Sequence, residues 1–188
     1  MHTYFRKWVL LMPLLDDERT LNLLGALALS IVDGMNTAIV EANAGYSGET
    51  PAALVTLGAE PGISINELRQ VLNLSHPGTV RLVDRLESQG LVERRAGVDG
   101  RTLALFLTDA GHERRSAILT ERRQQLQLVV SSLTNTDRKQ LTKLLEKMLT
   151  AMTTNELRAL TMCRLCAEEV CPGDRCPVEQ QYCQLVQA

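Results

Sequence analysis

SINELRQVLNLSHPGTVRLVDRLESQGLVERRAGVDGRTLALFLT (Ser64–Thr108) reads as a helix, a tight turn, a second helix and a two-stranded hairpin with a basic tip. Ser64 stands three residues before Glu67, the spacing at which two side chains satisfy each other's orphaned backbone N–H groups at a helix start. Leu68, Val71 and Leu72 then recur on one helical face. Asn73 and Leu74 interrupt the pattern. Ser75 offers a second cap, and Pro77 falls in the first turn, where its missing N–H costs little.

The second helix is expected from about His76 to Gln89. Val80, Leu82, Val83 and Leu86 lie on one side of a 3.6-residue wheel, and Pro77, Gly78, Arg81, Asp84, Arg85 and Ser88 on the other. Small residues at the N-terminal end would let such a helix approach base edges, and its free N–H groups favour a phosphate. Arginine can grip guanine or a phosphate with two donors. Charge on a helix face is also what any solvated helix shows, so the face alone does not distinguish the two. The hairpin shifts the balance. Gly90 can end the helix in the left-handed conformation. Leu91–Arg95 and Thr102–Leu107 are strand-like, and between them AGVDG is a turn-rich tip ringed by Arg94, Arg95 and Arg101. Helix and tip together make a broken basic strip on a chain whose net charge is −2. This order of elements is a winged helix-turn-helix.

The run SHPGTVRLVDRLESQGLVERRAGVDGRTLALFLTDAG (Ser75–Gly111) resembles the DNA-binding core of the MarR (multiple antibiotic resistance regulator) family. The matching features are a serine-led second helix, the VDRLE–x–x–GLVER passage, a tip with Asp99 and Arg101, and LT–x–x–G leading into a long helix. The resemblance is strong over about Thr50 to Gly111 and holds in outline from Asp16 to Met162. It implies a homodimer that binds double-stranded DNA through two recognition helices, and repression relieved by a small-molecule effector or by thiol chemistry. Carried over by position, Ser75, His76, Pro77, Gly78, Thr79, Arg81 and Arg85 belong to the recognition helix. Arg94, Arg95, Asp99 and Arg101 belong to the wing, with Arg101 in the groove and Asp99 supporting it. Arg85 has a second reading, as a structural residue tying its helix to the wing.

Outside this core, Met1–Leu15 has a basic start and a short apolar stretch that faintly imitates a secretory signal. Pro13 and the following DDER argue against one, and an arm anchored by Phe5 and Trp8 is expected instead. Asp16 to about Ala44 reads as a long helix with Leu21, Leu24, Leu27, Ile31, Met35, Ala38 and Ala42 along a stripe longer than the winged domain can cover. A second copy of the chain is the simplest partner. Pro51–Ala59 is a short supporting helix. Thr108 caps a helix to about Leu133, carrying Arg114, Arg115, Arg122 and Arg123. Thr134 and Asp137 start another, whose apolar seam from Leu141 to Met152 is expected to continue to about Met162. No uninterrupted apolar run reaches the length of a membrane span, so no membrane is expected. The fold class is therefore mainly α with a small β-hairpin wing. Its parts are an arm (1–15), an N-terminal dimerisation helix (16–49), the winged helix-turn-helix (50–108), C-terminal dimerisation helices (109–162) and a tail (163–188).

All five cysteines lie in that tail. Cys163 and Cys166 form C-x2-C, and Cys171 and Cys176 follow at x4 intervals, with turn residues Pro172, Gly173 and Pro177 between them. Cys183 is a possible fifth ligand or a spare thiol. Four thiols this close can wrap one metal, and zinc suits a tetrahedral thiolate set. Thiolate ligation with Cys-Pro steps also suits an iron–sulfur cluster. Free thiols or reversible disulfides, including a redox sensor, are the third reading. No phosphate-cradling glycine loop, nucleophile elbow or His–carboxylate set occurs, so no enzyme is expected. The expected function is a cytoplasmic transcription regulator, most simply a repressor. A winged domain that binds protein rather than DNA, with a structural metal, is the alternative.

Overall fold

A computed structural model describes residues 15–42, 48–97 and 103–187. Its elements run α1 (Leu15–Ala42), α2 (Thr50–Ala59), α3 (Ile65–Leu72), α4 (His76–Ser88), β1 (Val92–Ala96), β2 (Leu103–Leu107), α5 (Asp109–Val130), α6 (Asn135–Met152), α7 (Glu156–Cys163), a 3-10 turn (Gly173–Arg175) and α8 (Pro177–Gln187). The arm and the hairpin tip with Asp99 and Arg101 lie outside the described residues.

The local signals act as their chemistry dictates. Ser64 Oγ accepts from Glu67 N–H at 3.2 Å while Glu67 Oε2 accepts from Ser64 N–H at 2.8 Å. Asn73 ends α3 in the left-handed conformation at φ 52°, and Gly90 does the same after α4 at φ 70°. Ser75 Oγ accepts from Gly78 N–H at 3.2 Å and fixes the start of α4. The strands pair antiparallel with Val92 opposite Leu107 and Ala96 opposite Leu103. A third segment joins them: Gly62 N–H donates to Leu105 O and Leu105 N–H to Ile63 O, so the residues before α3 extend the sheet beyond β2.

One core unites these pieces. Leu54 and Leu57 of α2, Leu68 of α3, Val83 and Leu86 of α4, Leu105 of β2 and Ile118 of α5 are all almost fully buried, joined by Ile39 of α1. Burying each such side chain contributes about 1.5–3 kcal/mol. Gly111 is required where α5 leaves the sheet, because a Cβ there would collide with the Leu91 carbonyl.

Three expectations need correction. The stripe that α4 buries is Thr79, Leu82, Val83 and Leu86, an i, i+3, i+4, i+7 set; Val80 is only half-buried. The helix expected from Thr134 to about Met162 is two helices. Thr153 turns inward and Asn155 caps α7, its Oδ1 accepting from Arg158 N–H at 3.0 Å. α7 then packs on α3 of the winged domain instead of prolonging α6. Finally, Glu18–Glu41 is long and apolar enough to cross a membrane by length and composition, with mean hydropathy 1.7. Thr20, Asn22, Ser30 and Asp33 break it into short runs, which hides it from a count of uninterrupted apolar residues.

Candidate functional site

α4 presents its N-terminal end and one face to solvent. Ser75, His76 and Pro77 are exposed, Gly78 is half-buried, and Arg81, Asp84 and Arg85 follow along the same side. A Cβ at Gly78 would press on Ser75 Oγ at 3.1 Å, so the small residue keeps the cap intact. Thr79, expected on this face, is instead fully buried at the head of the core stripe. Its hydroxyl donates to Ser75 O at 3.1 Å, which removes the penalty of burying it.

The arginines that look alike in sequence have different surroundings. Arg85 Nη2 donates to Thr50 Oγ1 at 2.8 Å, and Thr50 is buried at the first turn of α2. Arg85 thus fastens α4 to α2, not to the wing. Arg94, in β1, reaches back to α4 and pairs with Asp84 at 2.6 Å and with Glu87; its side chain is only 19% exposed. It neutralises two acids on the α4 surface and ties strand to helix. Arg95 pairs with Glu93 and stacks over Phe106 at 4.5 Å, yet keeps over half of its side chain in water. Arg81 is exposed and takes part in no ion pair among the described residues. Among the described residues, neither Arg81 nor Arg85 on the exposed α4 face is neutralised by an acid, Arg85 bonding a neutral hydroxyl, and both follow a helix start whose N–H groups point outward.

Asp84 and Glu87 are the residues sequence reasoning missed here. Their spacing from Arg94, ten and seven residues across a helix end and a strand start, gave no local signal.

The tail forms a second cluster. Cys163 closes α7, and Cys166 N–H donates back to Cys163 O at 2.8 Å, so the C-x2-C pair sits in one tight turn. Cys171 N–H bonds Glu168 O in the next turn, and Cys176 leads into α8, its carbonyl accepting from Gln180 N–H at 3.0 Å. Cys163 lies near Cys166 and Cys176, and Cys171 near Cys176. Among the described residues, no three His, Cys, Asp or Glu side chains form a ready-made metal-holding set, so these approaches are pairwise. The Cys166 thiol is pulled down to about 6, first by the hydrogen bond from Cys163 and then by the Arg122 guanidinium, against the opposing effect of burial. As donor in that bond, and as a half-buried group, Cys163 is pushed up. Cys183 stands apart on α8, against Glu179 at 3.7 Å.

Three contacts hold this cluster to the winged domain. Leu165 packs against the main core. α7 lies along α3. Arg115 of α5 passes over Gly58 and pairs with Glu169 at 3.0 Å; a Cβ at Gly58 would collide with the Arg115 side chain. Between α2–α3 and α7–α8 runs a groove of about 500 Å³ that Cys163, Cys166, Glu60, Glu67 and Glu168 help to line.

Residues 44–102 match the MarR family. The chain's winged helix architecture is that of the solved YusO protein from Bacillus subtilis (TM-score 0.62, 22% identity, 73% of this chain and 96% of that one). The reduced form of MarR from E. coli is likewise similar (TM-score 0.57, 25% identity, 67% of this chain and 96% of that one). By sequence, the chain is 35% identical over 103 residues to the transcriptional repressor MprA of Escherichia coli strain K12. That match spans 53% of this chain and 58% of MprA's length. The MarR-family match ends inside the hairpin tip, so the cysteine cluster lies wholly beyond it.

Proposed function

We propose that this chain is a cytoplasmic transcription regulator that binds duplex DNA as a homodimer and represses by occupying an operator. The observation that carries the reading is the α4 surface: a serine-capped helix start with small residues, then Arg81, in no ion pair among the described residues, beside acids that Arg94 already neutralises. A helix so exposed fits the major groove, and its N–H groups suit a phosphate. Arg95, and Arg101 with Asp99 at the hairpin tip, would follow the flanking minor groove. The likeness to a protein named as a transcriptional repressor supports the sign of regulation.

The homodimer rests on a separate observation. Leu21, Leu24 and Leu27 of α1 and Leu144, Leu145 and Met148 of α6 are exposed as runs on helix faces. Contiguous apolar faces of this extent mark an interface. The lower part of α1 is already committed to its own chain, since Ala38 and Ile39 are buried and α1 packs along α5. A helix so anchored, with its other end bare, suits a second copy better than a bilayer. Two-fold symmetry then predicts a pseudo-palindromic operator with half-sites about one helical turn, ~34 Å, apart.

Selection from a randomised duplex library tests the reading. Recovery of an inverted repeat, bound with an affinity that falls as salt rises, is the expected result. Failure to enrich any sequence, at low salt, would favour a protein-binding role for the winged domain.

A further inference from the structure

The groove between α2–α3 and α7–α8 is walled on one side by the winged domain and on the other by the tail, and nothing in the DNA-binding reading uses it. We propose that this groove binds one lipophilic organic cation, its apolar body against the helix walls and its charge between Glu60 and Glu168. The site stands apart from DNA recognition, and its test needs no DNA.

Size and lining set the class of occupant. A volume of about 500 Å³ is that of a small-molecule site. Val55 of α2, Ile63 before α3, Val71 of α3, Leu160 of α7 and Val178 of α8 supply apolar wall. Tyr182 adds an aromatic ring, whose face attracts a positive charge. Five carboxylates share the lining, those of Glu60, Glu67, Glu156, Glu168 and Glu179. Against them stands Arg164, which donates to Thr161 O. Among the described residues none of the five is in an ion pair. An anion would meet these acids. A hydrated metal ion would leave the apolar walls unused, and no metal-holding set occurs among the described residues.

Three of the acids have a local reason to be there. Glu67, Glu156 and Glu179 lie in the first turns of α3, α7 and α8, where the positive helix end favours them. Glu60 and Glu168 have no such reason. Glu60 is the C-terminal cap of α2, where the negative helix end disfavours a carboxylate. Glu168 lies in the turns after α7. Burial first, and then Glu60 with Glu169 and Glu179, push its carboxyl up against the opposing pull of Arg115. Arg115 is already paired with Glu169. A cation between Glu60 and Glu168 relieves their repulsion.

Thr56 points to an occupant independently of charge. It lines the groove one turn before Glu60, and its backbone carbonyl accepts from Glu60 N–H at 2.9 Å. It is only 7% exposed, yet its Oγ1 has no hydrogen-bond partner among the described residues. A buried hydroxyl left unpaired is costly, and its oxygen can turn a lone pair toward a positive centre.

Tetraphenylphosphonium carries a fixed positive charge inside an apolar shell, and tetraphenylborate has the same shape with the opposite sign. Isothermal titration calorimetry of the full-length chain with each ion tests the site. Saturable binding of about one phosphonium per chain, and no binding of the borate at the same concentrations, is the expected result. Glu60→Gln/Glu168→Gln alters two exposed side chains and should weaken phosphonium binding about tenfold. Its melting temperature should be no lower than that of wild type, because a repulsion is removed. Tyr182→Phe should keep the affinity and Tyr182→Ala lose it several-fold, since only phenylalanine retains the ring. Equal binding of both ions would signal adhesion to the bare apolar faces of α1 and α6 and overturn the proposal. So would undiminished phosphonium binding in the double variant, or none in wild type.

Discussion

Arg81 and Arg85 stand one turn apart on α4 and have different tasks. Arg81 meets no acid among the described residues, while Arg85 donates to a buried threonine hydroxyl on α2. Arg81→Ala should weaken operator binding by roughly 5- to 150-fold in fluorescence anisotropy, since a lost arginine contact costs ~1–3 kcal/mol. Its melting temperature should stay unchanged. Arg85→Ala should instead lower stability by about 1 kcal/mol in urea unfolding, because Thr50 loses its hydrogen-bond donor inside the fold. Five arginines on helix and wing were legible in the sequence as one basic strip, and a structural role for Arg85 was one reading of it, but the partners of Arg85 and Arg94 were not legible. Arg94 is held by acids seven and ten residues away, and Arg85 by a residue 35 positions earlier. Such distances leave no periodic trace. Thr79 shows the reverse case. It completes the apolar stripe Leu82, Val83, Leu86, but its hydroxyl makes it look like a surface residue until the bond to Ser75 O is seen.

At the scale of elements, caps were the most legible feature. Ser64, Ser75, Thr108 and Thr134 each start the helix their spacing announces. The capping box of α3 carries a pH signature. The Ser64 hydroxyl and backbone N–H hold the Glu67 carboxyl below its ordinary value. A depressed carboxylate stabilises the fold above its unfolded-state value and ceases to as pH falls through the folded one. Glu67→Gln should therefore be less stable than wild type at pH 7. The gap should close as pH drops below the ordinary carboxylate range, which paired unfolding curves at pH 7 and at a pH below that range would check. The break between α6 and α7 was not legible. It holds neither glycine nor proline, and the apolar spacing of Met152, Leu157 and Leu160 reads on across it. Asn155 was the available cue. Gly58 tests the seating of the next element. An alanine there would displace the Arg115 side chain and cost the Glu169 pair. Gly58→Ala should leave the winged core folded by circular dichroism yet raise hydrogen exchange in residues 164–176 several-fold.

The whole molecule is a winged domain clasped on one side by its own tail and bare along two helices. Composition located the cysteines, but only the fold shows that the tail lies on α3 and α5. Likewise the apolar stripe of α1 was plain, and its need for a partner followed from the small size of the winged core. On the proposed reading the exposed faces of α1 and α6 would make assembly a condition of function: one chain offers one α4, and a symmetric operator would need two. Leu145→Glu places a charge on the bare α6 face and should shift the chain to monomer while its winged domain stays folded. Sedimentation equilibrium of the full-length protein, alone and with its selected operator, tests the account most directly. It predicts a dimer of identical chains before DNA is added and two chains per duplex afterwards. A monomer that binds the duplex one to one, with undiminished affinity, would contradict it.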